Sequence, residues 1–156
     1  MPTLIIDSPV GLLLLCSSGR AITKLSWLDD EVSRPADDPD AICRLAAKEL
    51  QAYFSRNLLY FTIPVSLGGS KLQRAVWDAI VNIPFGTVLT YGNVAQALNT
   101  GARAVGTACG QNPVPIIVPC HRIVGAGGKL TGFSGGNGVL TKGFLLDHES
   151  GQGRMI

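Results

Sequence analysis

The chain has 156 residues, of which 46% are apolar and 15% charged, with a formal net charge of +2. That composition builds a buried core and excludes a disordered or fibrous chain. The longest apolar run, Val10 to Cys16, contains Gly11 and is too short for a membrane span, and no signal peptide precedes it, so a cytoplasmic protein is expected.

Thr3–Ser8 and Leu12–Ser17 flank Pro9-Val10-Gly11 and read as a hairpin, with Ala21–Leu28 as a third strand. Asp29–Asp40 reads as an acidic surface loop, with Asp38 as an N-cap and Pro39 in the first turn of a helix. Cys43, Ala46, Ala47, Leu50 and Phe54 share one face of that helix, and Phe61–Val65 returns toward the sheet. No chemistry is evident in this first part, which reads as a scaffold. Leu67-Gly68-Gly69 marks a boundary, giving domains at 1–68 and 69–156.

Ser70 and Gln73 have capping-box spacing, and Leu72, Ala75, Val76, Ala79, Ile80 and Ile83 form a helical stripe that Pro84-Phe85-Gly86 ends. Thr90 caps a shorter helix with Tyr91, Val94, Ala95 and Leu98 inward. Asn99-Thr100-Gly101 turns into a third helix, Ala102–Gly110. The pair reads as a helix-turn-helix. Ala102, Val105 and Cys109 share its inner face, while Arg103, Gly106, Thr107 and Gly110 leave the other nearly bald. Each helical glycine costs roughly 1 kcal/mol relative to alanine, so something must approach that face closely. Minor-groove docking with Arg103 inserted fits, and so does a tight contact inside the protein. Gly125–Gly138 holds seven glycines in fourteen residues but fails the phosphate-loop pattern at Ile123 and Leu130. A last helix, about Thr141–His148, turns Phe144 and Leu145 inward.

The chemistry concentrates at Pro119-Cys120-His121-Arg122. A thiol beside basic groups is a candidate nucleophile, although a lone Cys-His pair also fits an ordinary buried cysteine. Adjacent residues of an extended segment point to opposite faces, so His121 reaches the thiol only through a sharp turn or a bridging water. A carboxylate on the far ring nitrogen would fix its tautomer; spacing allows Asp147 or Glu149. The four cysteines, Cys16, Cys43, Cys109 and Cys120, show no metal or disulfide spacing. Residues 1–66 carry six Lys/Arg against eight Asp/Glu, and residues 67–156 carry seven against three. The positive field accompanies the Cys-His pair and suits an anionic partner such as nucleic acid.

Several ordered segments form one set. They are Leu72-Gln73-x-x-Val76-Trp77, Ile83-Pro84-x-Gly86-x-x-x-x-Tyr91, Ala102-Arg103-Ala104-Val105-Gly106 and Asn112-Pro113-x-Pro115-Ile116. Pro119-Cys120-His121-Arg122, Gly132-Phe133-Ser134-Gly135-Gly136 and Leu145-Leu146-x-His148-Glu149 complete it. Together they resemble the O6-alkylguanine-DNA alkyltransferase family.

The resemblance implies an α/β protein. A small N-terminal α/β domain with an antiparallel sheet would be followed by a mainly helical, winged-helix-like C-terminal domain. It implies DNA repair by single-use alkyl transfer to Cys120, with His121 taking the thiol proton through water and Glu149 completing the relay. Asn112 would hold the cysteine segment and Tyr91, by pattern alone a core aromatic, would protonate the departing guanine. Arg103 would replace the extruded nucleotide, and Ala102, Gly106, Thr107 and Arg122 would contact DNA. Val118 and Cys120 through their carbonyls, Ser134 through its N–H, and Phe133 and Lys142 would line the base pocket. Phe133 stands where many members have tyrosine, Lys142-Gly143-Phe144 replaces a common Lys-Glu-Trp run, and Gly136-Asn137-Gly138 lengthens the loop. The expected partner is double-stranded DNA containing O6-alkylguanine, bound by a monomer with no cofactor, no metal and no membrane.

Overall fold

The computed structural model describes residues 1–28, 38–133 and 135–151. Residues 29–37, most of the expected acidic loop, and Ser134 lie outside them. The chain divides into two compact units, Met1–Leu67 and Gly68–Ile156. No helix of the described residues is long and apolar enough to cross a membrane.

In the first unit β1 (Thr3–Ile6), β2 (Leu13–Ser17) and β3 (Ile22–Trp27) form an antiparallel sheet in that order. Leu4 pairs with Leu15 and Leu15 with Leu25, so the two-residue period of the strands puts Leu13, Leu15 and Leu25 in the core, and a register shift at Cys16/Ser17 brings Ile22 in with them. Helix α1 (Ala41–Phe54) buries Cys43, Ala46, Ala47, Leu50 and Tyr53. Tyr53 takes the last inward place expected of Phe54, its ring centre 5.0 Å from that of Phe54 and 5.4 Å from that of Phe61.

The cap of α1 is Asp40 rather than Asp38. Asp40 accepts from Cys43 N–H at 2.8 Å and from Ser17 Oγ at 2.7 Å. Asp38 instead exchanges backbone hydrogen bonds with Thr3 at 3.0 and 3.1 Å, because a residue before proline is pushed toward extended geometry. The return toward the sheet narrows to a bridge between Ile22 and Val65. Upstream of it, the buried Glu49 carboxylate takes the N–H groups of Thr62 and Ile63 that a strand would have used.

In the second unit α2 (Lys71–Val81) opens with the reciprocal Ser70–Gln73 box. Val76, Ile80 and Ile83 are buried as the stripe requires, but Leu72 is 41% exposed and Trp77 replaces it inside. The Trp77 indole donates to Ala108 O at 2.9 Å and ties α2 to α4 (Ala102–Gly110). Between them β4 (Leu89–Thr90) leads into α3 (Tyr91–Ala97), whose N-terminus is boxed by Thr90 and Asn93. Asn99 ends α3 in the left-handed region (φ +55°), with Thr100 N–H on Ala95 O and Asn99 N–H on Gln96 O. That is a Schellman stop with asparagine in the glycine position, and it sets the turn of the helix-turn-helix.

Strand β5 (Ile123–Val124) pairs in parallel with β4 and so brings the segment after Arg122 alongside the entrance to Tyr91. Helix α5 (Val139–Ser150) closes the unit with Lys142, Leu145, Leu146 and Glu149 on its buried face. Phe144, expected inward, is 41% exposed and stacks on His148 instead, at 6.3 Å and 8° between planes.

Trp77→Phe keeps the buried ring and removes one of the donors to Ala108 O. It is expected to lower stability by about 1 kcal/mol, read from urea unfolding, with little change in unfolding slope.

Candidate active site

The approach to Cys120 is a tight loop stapled from within. Asn112 Oδ1 accepts from Val114 N–H at 2.9 Å, and its Nδ2 donates to Val118 O at 2.8 Å. Val114, Ile116 and Val118 are fully buried, and that burial holds Ile116 at φ +72°, a strained value for a β-branched residue. Cys120 N–H then bonds Val118 O at 2.8 Å across Pro119 (φ −82°, ψ 65°), an inverse γ-turn. Val118 O thus accepts two hydrogen bonds, which fills a carbonyl's two lone pairs. It is a structural acceptor and not the base contact expected of it.

Cys120–Arg122 forms a single 3-10 turn, the sharp turn that the Cys-His pair requires. His121 is fully buried, its Nε2 2.6 Å from Glu149 Oε2. Spacing left Asp147 and Glu149 open; Glu149 is the one that reaches the ring. A carboxylate at that distance fixes the tautomer with the proton on Nε2. His121 Nδ1 is buried and has no hydrogen-bond partner among the described residues. It is left as a lone-pair acceptor on the residue next to the thiol.

Arg122 is 5% exposed, so it is not the DNA contact expected of it. Its Nε donates to Glu149 Oε1 at 2.8 Å and its Nη2 to Glu149 Oε2 at 3.0 Å. Its Nη1 donates to Ile83 O at 2.7 Å, and the guanidinium lies 5.8 Å from the Phe85 ring centre.

The electrostatics follow from this packing. Burial works against ionising Glu149, but the hydrogen bonds and charges of His121 and Arg122 outweigh it and hold the carboxyl at about 2. Burial pushes the His121 imidazole below its ordinary value against the pull of Glu149, with Arg122 and Lys142 adding to the depression. Burial also pushes the Cys120 thiol up, although the Asn112 amide and the Lys142 charge oppose it. The resting pair is therefore a thiol and a neutral imidazole, which needs a proton transfer before the sulfur becomes a nucleophile. Cys109, on the inner face of α4, is pushed to about 12 by burial and by Cys120, and is inert beside it.

A second cluster walls the site. The Tyr91 hydroxyl donates to Thr131 O at 3.0 Å. Lys142, 1% exposed, donates to the same carbonyl at 2.8 Å and to the Tyr91 oxygen at 3.5 Å, with its ammonium 5.6 Å from the ring centre. Tyr91 is thus a half-buried wall residue and not a plain core aromatic, and burial raises its phenol above the ordinary range. Gly132 (φ +74°) follows Thr131, and a Cβ there would meet the Tyr91 hydroxyl at 2.7 Å. A Cβ at Gly106 would lie 3.8 Å from Cε1 of the same ring. One part of the bald face of α4 therefore packs on Tyr91. Arg103 and Thr107 remain exposed, as does Ala102, expected inward but sitting in the open first turn, and Thr107 Oγ1 donates back to Arg103 O at 3.0 Å.

Phe133 is half-buried, and Ser134, an expected base contact, lies outside the described residues. Residue patterns did not disclose Thr131, Ile83 or Phe85 as parts of the site; the first two act through backbone carbonyls, which carry no sequence signal. Among the described residues no group of three or more His, Cys, Asp or Glu could hold a metal ion, and all four cysteines are free.

Two outcomes follow. Glu149→Gln leaves Arg122 buried without its counter-charge and is expected to cost about 3 kcal/mol at neutral pH. The folded-state carboxyl is depressed to about 2 from 4.5, so its contribution is complete above pH 4.5 and drains as pH falls toward 2. Urea melts of wild type and variant should differ most near neutrality and converge in acid. Gly132→Ala should shift Tyr91 or the loop, at a cost of about 1–3 kcal/mol from the positive φ alone, measured in the same melts.

Comparison with known proteins places these features in one family. Residues 71–151 match the profile described as 6-O-methylguanine DNA methyltransferase, DNA binding domain, and residues 3–67 match the ribonuclease-like domain of the same description. The methylated-DNA–protein-cysteine methyltransferase of Mycobacterium tuberculosis is 44% identical over 150 residues, covering 92% of this chain and 89% of that one. That of Methanosarcina barkeri is 38% identical over 151 residues, 93% of this chain and 94% of that one. Among solved structures, Mycobacterium tuberculosis OGT in complex with DNA is similar with a TM-score of 0.85 and 41% identity, covering 99% of this chain and 96% of that one. The chain belongs to the 6-O-methylguanine DNA methyltransferase family.

Proposed function

We propose that the protein repairs DNA by moving the alkyl group of O6-alkylguanine onto Cys120 Sγ, once per molecule. The observation that carries this reading is the His121 ring, bound to Glu149 through Nε2, with a buried Nδ1 that has no hydrogen-bond partner among the described residues, on the residue next to Cys120. Relatives named methylated-DNA–protein-cysteine methyltransferase and a similar structure solved with DNA support it.

The Cys120 thiol proton passes through a water to His121 Nδ1, and Glu149 stabilises the imidazolium that forms. The thiolate attacks the alkyl carbon in line with the C–O6 bond; the S–C bond forms as the C–O bond breaks. Guanine leaves as its anion and takes a proton from the Tyr91 hydroxyl, which Lys142 and Thr131 O hold in place. The product is a thioether, which water does not hydrolyse, so there is no second turnover.

Access sets the DNA-binding mode. Cys120 is only 6% exposed, and a stacked O6 cannot be approached in line, so the nucleotide has to leave the helix. The exposed N-terminal part of α4 would enter the minor groove with Ala102 and Thr107 against the backbone, and Arg103 would fill the gap in the stack. Gly106, with Tyr91 against it, lets the helix and the pocket wall share one edge. Phe133, Lys142, the Cys120 carbonyl and the Ser134 N–H would line the base pocket. Residues 1–68 act as a scaffold and 69–156 as the DNA-binding and transfer domain, in a cytoplasmic monomer.

Incubation with a duplex carrying one O6-methylguanine should add one methyl mass to the intact protein, located on Cys120 by peptide mapping, as the lesion disappears. Protein of unchanged mass with the lesion intact would exclude transfer. Arg103→Ala should slow transfer from duplex DNA about tenfold or more, far beyond its effect on the free base, since the free base needs no unstacking worth a few kcal/mol.

A further inference from the structure

We propose that Arg122 is a positioning residue for alkyl transfer: it clamps Glu149 to the turn after α2 and keeps His121 in its neutral, proton-accepting form. The proposal rests on the assignment of Cys120 and His121 made above. It replaces a DNA contact, which a side chain 5% exposed with each of its three nitrogens bonded inside the unit does not offer.

The geometry has three parts. The guanidinium fork grips both Glu149 oxygens through Nε and Nη2, at 2.8 and 3.0 Å. Its remaining nitrogen, Nη1, donates to Ile83 O at 2.7 Å, two residues beyond the end of α2. Phe85 covers the cation at 5.8 Å, and His148 meets the edge of Phe85 at 6.4 Å. Behind Phe85 the turn runs so close to α5 that a Cβ at Gly86 would lie 3.5 Å from Glu149 O. One side chain therefore joins residues 83–86, the Cys120 turn and the end of α5, three segments distant in sequence. A lysine would keep the charge but lose the planar fork.

Burial of the ring is the largest cause that keeps His121 neutral, and the clamp adds to it. From α5, Glu149 favours the imidazolium, and Lys142 disfavours it. From the Cys120 turn itself, Arg122 disfavours it as well, on top of the burial of the ring. With the Arg122 charge removed, the pull of Glu149 toward the imidazolium would be less opposed. The ring would then hold a second proton at higher pH, and Nδ1 could no longer accept the one from Cys120. The acid side of the rate profile should therefore move upward when the charge is lost.

The test uses the full chain as wild type, Arg122→Gln and Arg122→Lys. The chain has two histidines, so the His121 titration can be followed by NMR and compared with single-turnover transfer from an O6-methylguanine duplex. Arg122→Gln is expected to raise the His121 midpoint by about one unit. Its transfer rate near neutrality should fall about tenfold to a hundredfold, a share of the roughly 10²–10⁴ that a positioned base supplies, with the acid limb shifted upward in step. Arg122→Lys should restore the midpoint and only part of the rate, and neither variant should change the salt dependence of duplex binding. An unmoved midpoint in folded Arg122→Gln overturns the proposal, as does a salt slope shallower by about one, the mark of a lost phosphate contact. If Arg122→Gln does not fold, Arg122→Lys decides, since wild-type transfer there overturns the clamp. Wild-type protein that takes up no methyl group would instead sink the transferase reading, while the midpoint shift could still be observed.

Discussion

One buried carboxylate organises the second unit. Glu149 is almost shielded from solvent, yet it accepts from His121 on one side and from the Arg122 fork on the other. A bare carboxylate in that position would be protonated; three donors and an adjacent cation keep it charged. That single charge fixes the imidazole tautomer and holds the Arg122 fork, whose remaining nitrogen reaches Ile83 O after α2. Removing Glu149 or Arg122 breaks a buried ion pair, and the cost of doing so holds the arrangement together.

From this constraint the chemistry divides between two walls. On one side, burial keeps Cys120 a thiol and His121 neutral, so the sulfur is protected until an electrophile and a proton path are both present. On the other, Lys142 and Tyr91 converge on the Thr131 carbonyl, which ties α5, the start of α3 and the glycine-rich loop together. The loop can approach Tyr91 only because Gly132 carries no side chain. The long run of glycines thus serves a close approach at one identifiable residue, and the parallel pair of β4 and β5 sets the two walls side by side.

Much of this was legible in the residues. The capping box at Ser70, the Thr90 cap, the α4 boundaries and the antiparallel hairpin follow from local rules that tertiary packing did not override. The Cys-His turn and its carboxylate were visible as chemistry, though spacing could not choose Glu149 over Asp147. Other features were hidden for physical reasons. Trp77 outcompetes Leu72 for the core because its indole also finds a buried acceptor. Phe144 is exposed because α5 turns Lys142 and Glu149 inward, against the usual preference for burying the apolar residue. Arg122 read as a surface cation since nothing in its neighbours announces a partner 27 residues away. Val118 O, Thr131 O and Ile83 O act through the backbone, which every residue shares.

The central claim is that Cys120 rests as a buried thiol and becomes a nucleophile only by giving its proton to His121. The direct measurement is the ultraviolet thiolate absorbance of the DNA-free protein against pH, with Cys120→Ser as reference. The expected result is no thiolate assignable to Cys120 at neutrality and a midpoint above that of an ordinary cysteine. A midpoint below neutrality would contradict the claim, because the thiolate would then be preformed and the relay through His121 would have no proton to move.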